Sequence, residues 1–117
     1  TLHSTKDHDM MLFYLLASHF VCDYPLQSDF IAVGKSPLKS PHNGVPWYWI
    51  MTGHCFTHGL GVALATGNVW LGIAETVVHF VIDVAKCLGY TSINTDQYLH
   101  ILCKLAWWAL MHMTWVI

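Results

Sequence analysis

His79 and Asp83 stand one helical turn apart in the apolar stretch Asn68 to Tyr90, and each other apolar stretch of the chain carries ionisable residues at helical spacing. Met10 to Cys22 runs into His19 and Asp23, with Gln27 four further on. Val45 to Thr66 holds His54 and His58. The third stretch adds Glu75 and Lys86 to its own pair. Tyr98 to Ile117 opens beside Asp96-Gln97 and contains His100 and Lys104. Spacings of three and four residues line one face of a helix. An ionisable group facing hydrocarbon costs several kcal/mol, so such faces turn inward and pair, or build a site.

The rest of the sequence limits the surroundings of those faces. Hydrophobic residues make up 55% of the 117 and charged ones only 10%, against about 25% charged in ordinary water-soluble domains. A spanning helix needs roughly 20 mostly apolar residues. The second, third and fourth stretches reach that length, and the first spans only if all of Asp7 to Tyr24 is helical. The expected fold is all-α: one integral membrane domain over 1–117, a compact antiparallel bundle of about four transmembrane helices. They are placed near 7–24, 46–66, 68–88 and 96–117.

Pro25 to Pro46 is too rich in proline for a continuous helix and reads as a connecting loop over 25–45. Gly67 reads as a C-cap and Asn68 as the next N-cap, while Asp96 or Thr95 is expected to cap the fourth helix. Trp47, Trp49, Trp70 and Trp115 fall near segment ends, as an interfacial belt places them. Cys22, Cys55, Cys87 and Cys103 form no CxxC pair and read as small hydrophobes. Thr1 to Met10 lacks the pattern of a secretory leader.

In an up-down-up-down bundle, His19/Asp23, His54/His58, His79/Asp83 and Asp96/His100 all come to one level. His-x3-His is the spacing by which a helix offers two imidazoles to one metal. His19, Asp23, His54, His58, His79, Asp83 and His100 are therefore the expected ligands of one or two divalent ions, zinc, manganese or iron. Haem would leave Asp23 and Asp83 without a use. Asp96 is a candidate proton shuttle, Gln27 a candidate to orient water, and Glu75 a candidate catalytic group that would also suit proton or ion transport, or else a hydrogen-bonded buried acid. Lys35 and Lys86 are candidate phosphate contacts; the alternatives are a surface loop lysine for Lys35 and, for Lys86, snorkelling or pairing. Lys104 reads as snorkelling, or as a partner of Asp83 or Asp96. His3 and His8 read as solvated tail residues; His42 and His112 match no paired spacing.

His19-Phe-Val-Cys-Asp23-Tyr-Pro-Leu-Gln27, then Phe30-Ile-Ala and Lys35, resembles the opening motif of an uncharacterised family, domain of unknown function 3307. His79-Phe-Val-Ile-Asp83-Val-Ala-Lys86 and Asp96-Gln97-Tyr-Leu-His100 are similar to its later motifs in the same order. The resemblance spans about Leu15 to Ile101. It implies a small membrane protein of bacteria or their phages, placed in the inner membrane. His54 and His58 fall where members carry second-helix histidines. A looser pattern is similar to membrane-bound metal-dependent hydrolases, which also carry His/Asp pairs on short helices.

The functional expectation is a membrane-embedded metal-dependent hydrolase acting on a lipid or lipid-linked phosphate or ester. A non-enzymatic membrane protein with a structural polar or metal network, or a proton or metal-ion carrier, stands beside it. Membrane lipid is the expected partner, with a homo-oligomer or a membrane-protein partner left open. A net charge of -2 gives no basic footprint for nucleic acid. Lys35 and Lys39 make loop 25–45 the most basic connection, which places it in the cytoplasm and both ends of a four-span chain outside.

Overall fold

The computed structural model describes the backbone of residues 5–116 and the side chains of residues 6–113. His3 and the side chain of Trp115 lie outside the described residues. Five α-helices follow in order: α1 (Thr5–Asp23), α2 (Asp29–Gly34), α3 (Trp47–Thr66), α4 (Val69–Cys87) and α5 (Ile93–Val116). Among the described residues there is no strand.

Local chemistry sets the helix ends. α1 stops one residue short of the Tyr24-Pro25 pair, where proline disfavours helical backbone at the residue before it. Gly67 closes α3 in the left-handed conformation at φ 69°, its N–H donating to the Ala63 carbonyl. The Asn68 side chain then accepts from the amides of Trp70 and Leu71 to open α4. Ser92, rather than the expected Asp96 or Thr95, opens α5. Its hydroxyl accepts from Thr95 N–H, because the helix begins at Ile93, five residues before its apolar run at Tyr98.

The segment 25–45 is not all loop. Ser28 caps the six-residue α2 by accepting from Ile31 N–H, and Ser36 with Pro37 starts a short 3-10 helix, Pro37–Lys39. Both pieces lie against α3, and the second also touches α4.

The four long helices close a ring, α1 on α3 and α5, α4 on α3 and α5. The seam between α3 and α4 is built on glycine. A Cβ on Gly59 would stand 2.7 Å from the Gly72 carbonyl oxygen, and one on Gly72 would stand 2.8 Å from that of Gly59. Only hydrogen side chains let the backbones approach so closely. One end of the bundle holds an apolar core of Met11, Leu15, Val62 and Met111, with Trp107 and Trp108 packed on it.

The other end is polar inside and apolar outside. On α4 the inward stripe is Gly72, Glu75, His79 and Asp83, all buried. The outward stripe is Trp70, Ile73, Val77 and Val81, all exposed. Phe56, Leu60 and Leu64 on α3, and Phe13 on α1, extend that apolar surface. No helix among the described residues is long and apolar enough to cross a membrane, so the expected transmembrane helices are not met by their own hydropathy. The inward histidines, carboxylates and lysines are what lower it.

Candidate metal centre

Three of the four long helices bring donor groups to one point, and α5 supports them through Gln97. Asp23 ends α1, His54 and His58 sit on either side of the middle of α3, and His79 sits just past the middle of α4. One donor atom from each of these four lies within 4.8 Å of those of the other three. All four are buried, His79 and Asp23 setting the limits at 0% and 8% exposure.

The hydrogen bonds around them fix which atoms face inward. Glu75 Oε2 accepts from Nδ1 of His79 at 3.0 Å, so the proton of that ring sits on Nδ1 and the Nε2 lone pair is free. Nε2 of His79 is buried and has no hydrogen-bond partner, and Nε2 of His54 is the same. Nδ1 of His19, His58 and His100 is stranded likewise, at about 1–3 kcal/mol for each buried polar atom, but the Nε2 atoms of His54 and His79 are the ones that stand beside carboxylate oxygens, where a cation would satisfy both kinds of group. His54 Nε2 lies 3.5 Å from Asp23 Oδ1 and 3.5 Å from Asp83 Oδ2. That is too long for a strong hydrogen bond. It is close to the separation of about 3.3 Å between tetrahedral ligands that each stand near 2.0 Å from one ion.

Asp23 is aimed by Gln97. The Gln97 amide donates to Asp23 Oδ2 at 2.9 Å and to Asp96 Oδ2 at 3.3 Å, while its carbonyl accepts from His19 Nε2 at 3.0 Å. Asp23 Oδ1 is left toward His58, whose Nε2 stands 2.9 Å away. Metal-binding histidines and carboxylates are held this way in general, by an outer partner that sets tautomer and orientation.

The other expected site residues take different places. Asp83 is outside the group of four: its Oδ2 accepts from Lys35 at 2.6 Å and its Oδ1 from Lys86 at 3.1 Å. Lys35 is not a surface loop lysine: its ammonium is pinned to Asp83 beside a small polar cavity that it helps to line. Lys35 is 3% exposed and donates also to Gln27, which in turn donates to the Asp23 carbonyl. Gln27 therefore holds a lysine while also lining a small polar cavity with Asp23, Asp96 and Gln97. His19 stands 3.6 Å from Asp23 and binds Gln97. His100 joins Glu75 and His79 in a second cluster, its ring stacked on His79 with centroids 4.0 Å apart.

Glu75 in that second cluster has both oxygens committed, Oε2 to His79 and Oε1 to Lys104 at 2.9 Å and Trp107 at 2.8 Å. It positions His79 with both of its oxygens already accepting hydrogen bonds. Lys104, with no exposed surface, does not snorkel and does not meet Asp83 or Asp96. His8 is buried, not a solvated tail residue: its ring contacts His112 and its carbonyl accepts from Trp108. Trp49 and Trp70 are exposed, while Trp47 packs on Phe80. All four cysteines are free thiols.

Sequence reasoning gave no role to Gln97 or Trp107 and assigned Lys104 other partners than Glu75. The only signal was their place on the helix bearing His100, where Lys104 follows it by four residues and Trp107 follows Lys104 by three.

The profile of a family described as protein of unknown function, DUF3307, matches residues 11–116. No curated protein and no solved structure matches the chain.

Proposed function

The chain belongs to the DUF3307 family, and on that premise we propose that it is a membrane-embedded, metal-dependent hydrolase. The observation that carries the reading is the pair of stranded imidazole nitrogens, His54 Nε2 and His79 Nε2, in a buried group with Asp23 and His58. Imidazole and carboxylate donors together suit zinc, manganese or iron. A divalent ion there supplies Lewis acidity and a bound water acidic enough to ionise near neutral pH, about 7 against 15.7 in bulk.

The chain's own residues complete the chemistry. Gln97 and Glu75 hold Asp23 and His79 in ligating orientation. Asp96 carries the proton: its Oδ1 has no hydrogen-bond partner and lies 3.3 Å from His100 Nε2. Asp83, clamped by Lys35 and Lys86, orients the attacked group's surroundings without leaving a bare buried charge.

Placement in a lipid bilayer is supported by the inverted distribution of polarity, with ionisable groups inside and large apolar side chains such as Trp70, Val81 and Leu64 outside. Water-soluble monomers rarely present a continuous apolar surface beyond a few hundred Å². Hydrolysis of phosphate and carboxylate esters by metal-loaded protein, with Asp83→Asn alongside, tests the enzymatic reading. Activity unchanged in Asp83→Asn removes Asp83 from the machinery, and no hydrolysis of any ester by loaded protein removes the enzyme.

A further inference from the structure

Above the metal centre the bundle opens into a cavity of about 50 Å³ walled by Asp23, Lys86, Asp96, Gln97 and His100. A water needs roughly 10–15 Å³ of such space, so the cavity has room for three or four oxygen atoms. Resting on the hydrolase reading, we infer that its substrate is a phosphate monoester whose phosphoryl group enters this cavity and whose alcohol carries an apolar chain.

Charge selects the head group. Four carboxylates, Asp23, Glu75, Asp83 and Asp96, face three ammoniums, Lys35, Lys86 and Lys104. With neutral imidazoles this leaves -1, and a divalent ion changes it to +1. Lys104 is held by Glu75 and does not line the cavity, while Lys35, which does, has two of its three donors on Asp83 and Gln27. Lys86 has given one donor to Asp83 and is partly exposed at the cavity, so two of its three N–H donors remain. A surplus positive charge and a free ammonium suit an anion over a neutral ester.

The rim selects the tail. Tyr24 and Ile93 line the opening at 60% and 57% exposure. A polar cavity within an apolar rim matches an amphiphile lying with its head inward. In the reaction the oxygen of water bonds to phosphorus and the ester P–O bond breaks. Asp96 takes the water's proton and returns it to the departing alkoxide, giving an alcohol and inorganic phosphate.

The test uses the full chain, loaded with zinc or manganese, in lipid nanodiscs. Four substrates are compared: dioleoyl phosphatidic acid, glycerol phosphate, phosphatidylcholine and a long-chain carboxylate ester. Phosphate release from phosphatidic acid, with kcat/KM at least tenfold above that for glycerol phosphate and no cleavage of the other two, is expected. Lys86→Met raises KM at least tenfold at unchanged metal content, and Lys86→Arg restores it. Equal use of glycerol phosphate overturns the tail. Cleavage of the carboxylate ester without phosphate release overturns the phosphate while leaving the hydrolase standing.

Discussion

Glu75 Oε2 lies 3.0 Å from Nδ1 of His79, and that single bond decides which face of the imidazole looks into the cluster. Because Glu75 Oε1 is held by both Lys104 and Trp107, the carboxylate cannot turn away.

Replacing this acid by its amide therefore has a defined result. In Glu75→Gln the oxygen stays on Lys104 and Trp107, and the amide NH2 faces Nδ1. The ring proton moves to Nε2, the ligating nitrogen. Metal affinity falls about 10–100-fold although all four ligands are intact, as read by competition against a chelator.

Lys104 gives a thermodynamic counterpart. Lys104→Met leaves the buried Glu75 carboxylate without its cation, which costs about 3–5 kcal/mol. Lys104→Met combined with Glu75→Gln removes both charges and recovers most of that loss. Thermal unfolding of the two single variants and the double in one detergent measures the coupling.

The glycine seam is tested at two positions of α3. In Gly59→Ala the new Cβ runs into Thr76 Oγ1 and meets the Gly72 carbonyl at 2.7 Å, which forces α3 from α4 at about 1–3 kcal/mol. Gly53→Ala meets nothing within 4 Å. It gains about 0.5–1 kcal/mol of helix propensity. Opposite shifts in unfolding temperature are expected.

Placement in the bilayer predicts that the expressed chain stays with membranes through an alkaline carbonate wash and leaves them only with detergent. Release into the wash would contradict it.

The helices were legible because each joins an apolar run to polar pairs at a three- or four-residue period, and glycine and asparagine mark the turn between α3 and α4. α2 was not: six residues among prolines carry too little periodicity, and its Ser28 cap is a local signal. The convergence of Asp23, His54, His58 and His79 follows from their positions along antiparallel helices. Spacing could not foresee Lys35, which reaches Asp83 from an irregular segment 48 residues away. Nor could it separate ligands from their supports. Glu75 and Asp83 share a face with His79, and only the lysines opposite each carboxylate assign them elsewhere. The transmembrane expectation rested on apolar length, and the inward polar stripes are what set that measure against the surface the helices present.

The central claim is a metal ion held by Asp23, His54, His58 and His79. Elemental analysis of the detergent-purified chain, beside Asp23→Asn and His54→Ala variants of unchanged helical content, tests it most directly. One divalent ion per wild-type chain, falling below a tenth of that in either variant, is the expected result. A wild-type chain that takes up no ion when incubated with zinc, manganese or iron would contradict it.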